Sequence, residues 1–200
     1  MSFQTKPHID LARLYWQKWV SPGDKVIDAT VGNGHDTLFL AKLLKGKGKL
    51  IGYDIQPQAI AQTKKRLESL SENERSIVSL HLMSHSQFSE SGVKLIVYNL
   101  GYLPGGDKSI TTLAETSLDS LKAALPILAP SGKISMTCYP GHPEGKREEA
   151  ALFDYLKTLS SHEWDVGYHQ WLNRSLFPSL FLIQRRTSSI MKKVPQISIS

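Results

Sequence analysis

The sequence predicts an α/β fold of the Rossmann-like, doubly wound kind: a mostly parallel seven-stranded sheet with an antiparallel edge strand and helices on both faces. Three observations carry this. Short β-branched runs alternate with helix-length segments along most of the 200 residues, and alternation with right-handed crossovers places helices on both sides of a parallel sheet. Gly, Pro, Ser and Asp clusters punctuate the alternation where one element must give way to the next. The last two strand-like runs have no helix between them, which calls for antiparallel pairing at one edge.

The elements follow in order. Ile9 to Val20 places apolar residues near helical spacing, and Ser21-Pro22-Gly23-Asp24 ends that helix. Lys25 to Ala29 is a buried strand, followed by a glycine loop, Thr30 to Asp36, and an apolar helix from Thr37 to Leu44 closed by Gly46 and Gly48. Lys49 to Ile55 is a second strand. Pro57 opens a second helix running to Leu70, since proline in a first turn sacrifices no hydrogen bond. Strands are expected at Ser79 to Met83, Val93 to Asn99 and Gly132 to Cys138, with helices at Thr111 to Leu128 and Gly145 to Ser160. Val166 to Leu172 and Leu180 to Arg185 form the closing strand pair. A single domain over residues 1–186 with a flexible tail at 187–200 is the expected organisation.

Composition bounds the function. At 40% hydrophobic and 21% charged residues the chain is too apolar for disorder, and no run approaches the roughly 18 uninterrupted apolar residues of a membrane span. The lone Cys138 excludes an internal disulfide and a thiolate zinc cluster. His81 and His85 are four residues apart but fall on strand and loop, so no metal site is expected. Met1 to His8 has no apolar core behind a basic start, so a cytoplasmic protein is expected. The net charge of +6 permits an RNA partner, although its basic residues are spread along the chain.

In an open α/β sheet the ligand lies beyond the carboxyl ends of the strands, so the strand-ending residues are the informative ones. The first strand ends Asp28-Ala29-Thr30-Val31-Gly32-Asn33-Gly34. Its two glycines allow a sharp turn and close approach to a ligand, and the following helix offers free N–H groups. The third glycine of a dinucleotide loop is absent, and an acid ahead of the turn suits a cationic or amine-bearing ligand better than a pyrophosphate; Asp28 could equally cap the turn. The second strand ends at Asp54, 26 residues beyond Asp28, where a carboxylate can accept both hydrogens of a ribose diol or cap the next helix. A ribose without a phosphate contact points to S-adenosylmethionine.

The fourth strand ends Asn99-Leu100-Gly101-Tyr102-Leu103-Pro104-Gly105-Gly106-Asp107. The Asn99 carbonyl can accept from a substrate amine and orient its lone pair, and the Tyr102 ring can stack on a base. The fifth strand leads into Tyr139-Pro140-Gly141-His142-Pro143-Glu144-Gly145-Lys146. His142 there could serve as a general base or stand exposed in a turn, and Tyr139, His142, Glu144 and Lys146 could line a substrate mouth.

Together these segments resemble the bacterial family labelled putative rRNA methylases, within the class I S-adenosylmethionine-dependent methyltransferases. They are Asp28 to Thr37, Asp54-Ile55-Gln56, Asn99 to Asp107 and Gly141 to Lys146, four motifs in order within residues 8–185. Members of that family studied in Gram-positive bacteria methylate the 5-aminomethyl group of the tRNA wobble uridine, often a 2-thiouridine, to 5-methylaminomethyl. The resemblance implies that Gly32, Asn33, Gly34 and Asp54 contact S-adenosylmethionine with Asp28 and Gln56 close by. Thr30, Asp36, Thr37, Ser84, His85 and Asn99 complete the candidate cofactor set, and Asn99, Tyr102, Asp107 and His142 are the candidate catalytic residues. Asn99 would orient the amine, Tyr102 would stack on a flipped base, and Asp107 or His142 would collect the proton. The chain departs from the family at Ser86, where an acid is usual, and at Asn173 to Ser179, where the family tends to carry Asn-x-x-Asn-x-Pro-Pro. The expected partner is tRNA through its anticodon loop, with a homodimer left open. Competing readings are an rRNA or small-molecule amine methyltransferase and an inactive RNA- or cofactor-binding module.

Overall fold

The computed structural model describes residues 7–101, 105 and 111–187; the expected tail beyond Thr187 lies outside the described residues. The elements run α1 (Pro7–Trp19), β1 (Lys25–Asp28), α2 (His35–Leu44), β2 (Lys49–Asp54), α3 (Pro57–Leu67), α4 (Glu72–Ser76), β3 (Val78–Leu82), β4 (Val93–Asn99), α5 (Ala114–Ile127), β5 (Leu128–Cys138), α6 (Pro143–Lys157), β6 (Trp164–His169) and β7 (Ser179–Arg185). They form one seven-stranded sheet in the order β3-β2-β1-β4-β5-β7-β6. β1 to β5 pair in parallel, and β7 runs antiparallel to both β5 and β6. The closing pair lies at one edge of the sheet as expected, with the antiparallel strand one place in from the rim.

The chain winds outward from β1 to β3, then returns to lay β4 on the other side of β1. That reversal opens a crevice at the carboxyl ends of β1 and β4, where loops must diverge to opposite faces. Strand side chains alternate between the two faces. Ile27, Ile51, Ile96, Tyr98, Ile134 and Phe181 pack beneath α5 and α6 with Leu121, Leu125, Leu152 and Leu156. Val26, Leu50, Leu95, Val97 and Leu182 pack beneath α1, α2 and α3 with Trp16, Leu40, Leu44 and Leu67. A fully buried Leu or Ile here contributes about 1.5–3 kcal/mol of transfer free energy.

Most boundaries shift by one to three residues, and two of the differences have a clear local cause. The helix from Pro57 stops at Leu67, and a separate short helix follows. Ser71 starts it with a full capping box, its hydroxyl accepting from the Glu74 N–H while the Glu74 carboxylate accepts from the Ser71 N–H. β5 begins at Leu128 rather than Gly132, because the chain leaves α5 just after Pro126 and pairs at once with Val93. Among the described residues no helix is long and apolar enough to cross a membrane.

Candidate active site

Residues from β1, the loop after it and β2 close one half of the crevice. Asp28 is fully buried and accepts from Thr37 Oγ1 at 2.6 Å and from the Thr30 N–H at 3.2 Å. Burial first, and then the charges of Asp36 and Asp54, push its pKa up to about 7, against the pull of the Thr37 hydrogen bond. Gly32 and Gly34 take left-handed φ values of 52° and 74°. At Gly34 a Cβ would come within 2.4 Å of Thr63 Oγ1 on α3, so both backbone and packing require glycine there. α3 also holds the loop from outside: Thr63 Oγ1 donates to the Gly32 carbonyl at 3.1 Å, and Arg66 Nε donates to the Asn33 carbonyl at 2.6 Å. Asp54 ties this half together, its carboxylate accepting from the Gly32 N–H at 2.8 Å and from the Gln56 N–H at 2.9 Å.

The other half is built on the end of β4. The Asn99 N–H donates to Thr30 Oγ1 at 2.7 Å, and Asn99 Nδ2 donates to Asp36 Oδ2 at 2.8 Å. Arg13, from α1, donates to the opposite oxygen of Asp36 through Nε at 3.0 Å and Nη2 at 2.6 Å. Beyond Asn99 the chain is clasped at its base, with the Gly101 N–H donating to Thr112 Oγ1 at 2.8 Å and the Thr112 N–H returning to the Gly101 carbonyl at 3.1 Å. Thr112 meets Glu148, a buried acid on α6 that accepts from Ser117 Oγ at 2.5 Å; desolvation raises its pKa. Glu144 accepts from the Ala114 N–H at 3.0 Å, satisfying the start of α5 where Leu113 supplies no side-chain cap. The Tyr139 ring faces Gly101, lying 3.8 Å from where a Cβ would stand.

The structure thus gathers Asp28, Thr30, Gly32, Asn33, Gly34, Asp36, Thr37, Asp54, Gln56 and Asn99 at one crevice. Ser84 closes a local turn after β3, donating to Ser86 Oγ at 3.0 Å. His85 packs edge-on against Tyr98 at 5.7 Å between ring centres, its carbonyl accepting from Ser120 Oγ; burial drives its pKa down to about 4, so the ring is neutral at physiological pH. His142 is the N-cap of α6, its Nδ1 accepting from the Gly145 N–H at 3.1 Å. Tyr102 and Asp107 lie outside the described residues. Sequence reasoning missed Arg13, Thr112 and Glu148. Arg13 carried no local signal, reading only as a polar position on an amphipathic helix.

The site fits a cationic, ribose-bearing cofactor. Three carboxylates, Asp28, Asp36 and Asp54, surround the glycine loop; burial is the main cause of the raised pKa of Asp28, and repulsion from Asp36 and Asp54 adds to it. A positive group placed there relieves that repulsion, whereas a pyrophosphate would worsen it. The Asp54 oxygens keep lone pairs beyond the two backbone bonds they accept.

Comparison with known proteins gives the same direction. A family model described as "Putative rRNA methylase" matches residues 50–185. The chain is 38% identical over 195 residues to the chloroplastic tRNA (mnm(5)s(2)U34)-methyltransferase of Arabidopsis thaliana, spanning 92% of this chain and 71% of that protein. A crystal structure from Clostridium thermocellum carrying the same description as the family superposes with a TM-score of 0.85 at 34% identity, covering 92% of this chain and all (100%) of that one. Another from Streptococcus mutans, a "putative methyltransferase" in complex with SAH, gives 0.79 at 31% identity, covering 91% and 99%.

Proposed function

The chain belongs to the putative rRNA methylase family of S-adenosylmethionine-dependent methyltransferases, and we propose that it converts 5-aminomethyl-(2-thio)uridine at wobble position 34 of tRNA to the 5-methylaminomethyl form. The observation that carries the reading is the placement of Asn99. The Asn99 N–H bonded to Thr30 Oγ1 makes the end of β4 and the glycine loop one hydrogen-bonded unit, which supports reading Asn99 as the acceptor for a substrate amine next to the cofactor. The 38% identity to the Arabidopsis enzyme, over 92% of this chain, supports the choice of tRNA.

When bound, S-adenosylmethionine supplies an electrophilic methyl group on a sulfonium centre. The backbone of Gly32 to Gly34 would admit its amino-acid end, Asp54 would accept from its ribose hydroxyls, and Asp28 would balance its positive charge, Asp36 being already paired with Arg13. Asn99 Oδ1 accepts an N–H of the substrate amine and turns the nitrogen lone pair toward the methyl. The N–C bond forms as the C–S bond breaks. An alkylammonium must first lose a proton, because its ordinary pKa is near that of lysine, about 10.4; Asp107 is proposed to receive it, since the accepting nitrogen of His142, Nδ1, is already bonded to the Gly145 N–H. Tyr102 would stack on the base once it leaves the single-stranded anticodon loop. The enzyme is read as cytoplasmic, meeting mature or maturing tRNA there.

Nucleoside mass spectrometry of tRNA from a deletion strain tests this. Accumulated aminomethyluridine with loss of its methylated form is the expected result. An unchanged tRNA profile with a missing methyl group in rRNA would transfer the activity to ribosomal RNA.

A further inference from the structure

We infer that Arg13 and Asp36 are positioning residues that fix which way the Asn99 amide faces, presenting its carbonyl oxygen rather than its NH2 to the substrate amine. This rests on the reading of Asn99 given above. The two ends of a primary amide are nearly the same shape, so packing alone does not choose between them and hydrogen bonds must. A carboxylate only accepts. Because Asp36 Oδ2 lies 2.8 Å from Asn99 Nδ2, the NH2 is committed to Asp36 and Oδ1 is left as the outward acceptor. A reversed amide would set oxygen against carboxylate and N–H against the amine, losing one contact and making the other repulsive.

Asp36 can do this only if it is itself held. Arg13 provides the hold, with Nε and Nη2 both within 3.0 Å of Oδ1. The guanidinium is flanked on its face by the Phe39 ring at 4.9 Å, one turn along α2 from Asp36. With Oδ1 given to Arg13 and Oδ2 to Asn99, both oxygens of Asp36 are engaged. Asn99 is therefore gripped from three elements: Thr30 of the glycine loop fixes its backbone, Asp36 of α2 its side chain, and Arg13 of α1 the carboxylate that does so. Lysine at position 13 would keep the charge but not the planar fork.

The test measures methyl transfer by the full chain into tRNA purified from a deletion strain, together with S-adenosylmethionine affinity and thermal midpoint. Asp36→Ala is expected to lower kcat about 100-fold, the scale of a misplaced reacting group, and Arg13→Ala about 10-fold, with cofactor Kd and tRNA KM within about 3-fold. Arg13→Lys should fall between Arg13→Ala and the parent. Adding Arg13→Ala to Asp36→Ala should cost nothing further in kcat, because the first acts through the second. A structural role alone would move the thermal midpoint and leave kcat untouched. That outcome, or a loss of cofactor affinity that matches the loss of kcat, overturns the inference. Asn99→Ala separates it from the reading beneath: if that variant turns over normally, the assignment of Asn99 fails, whereas if it is dead while the Asp36 and Arg13 variants keep their kcat, the relay alone fails.

Discussion

The two halves of the crevice are built by different means. On the cofactor side every tie falls within residues 28–66: Asp28 holds residues two and nine positions on, Asp54 holds Gln56 two positions on and Gly32 22 back, and Thr63 and Arg66 reach the loop across 31 and 33 residues. On the acceptor side the ties cross more of the chain: Asn99 reaches Thr30 and Asp36 across 69 and 63 residues, and Ser117 reaches Glu148 across 31. The cofactor side is assembled by one contiguous stretch, β1 through α3, and it needs little from the rest of the chain. The acceptor side exists only when α1, α2, β4, α5 and α6 are all docked. Binding of cofactor and transfer of the methyl should therefore be separable by mutation, with the second the more fragile.

Asn99→Ala is the sharpest cut and carries the largest expected effect. It removes the proposed amine acceptor and leaves every tie of Asp28 and Asp54 in place, so turnover should fall by more than about 100-fold while calorimetric affinity for S-adenosylmethionine stays near the parent value. Equal loss of both would show that the halves are one site. Gly34→Ala is the converse cut. It puts a Cβ at a left-handed φ of 74° and within 2.4 Å of Thr63 Oγ1, at an expected cost of about 1–3 kcal/mol in unfolding free energy. Cofactor affinity should fall with it, and denaturant unfolding with and without cofactor reads both.

Legibility in the sequence follows the same division. The glycine loop, Asp28, Asp54 and the strand-ending Asn99 stand in motifs whose spacing is set by local geometry, so they announce themselves. The alternation of strand and helix is equally open to reading, because side-chain period is a local property. Arg13 is hidden: an arginine on an amphipathic helix is ordinary until α1 is seen to cross beside Asp36. His142 stands in a conspicuous Gly/Pro loop and proves to cap α6 with Nδ1, a role indistinguishable in sequence from that of a base. The short α4 was obscured because the pattern from Pro57 to Leu70 reads through a break that only the Ser71–Glu74 capping box marks.

Glu148→Ala probes the long-range half at a distance from the reacting atoms. It strips Ser117 Oγ of its acceptor and loosens Thr112, whose hydroxyl accepts from the Gly101 N–H. A buried hydrogen-bonding group left unmatched costs about 1–3 kcal/mol, measurable as a lower denaturation midpoint, and kcat should drop a few-fold with cofactor affinity unchanged. Glu148→Gln should recover most of both. Its raised pKa shows that burial already disfavours the charged form, so a neutral acceptor of the same shape is a near substitute. If Gln is as damaging as Ala, the ionised carboxylate matters and the clasp is electrostatic.

The smallest expected effect is a pH dependence belonging to the cofactor half. Asp28 has its pKa raised from 3.8 to about 7 by burial, with Asp36 and Asp54 adding to the rise. Between pH about 4 and about 7 the folded chain therefore keeps a proton that the unfolded chain has released, and this group's contribution to stability is greatest at the acid end and falls as pH rises. A cation bound beside Asp28 favours the carboxylate, so binding S-adenosylmethionine should expel that proton, and affinity should rise from pH 5.5 toward 7 and then level. Titration calorimetry in buffers of different ionisation enthalpy counts the proton directly. Asp28→Asn cannot release one, and should flatten the dependence while keeping an oxygen to accept from Thr37 Oγ1. Affinity that falls with rising pH in the parent chain would place the positive group away from Asp28, and the glycine loop would then have to hold the cofactor without it.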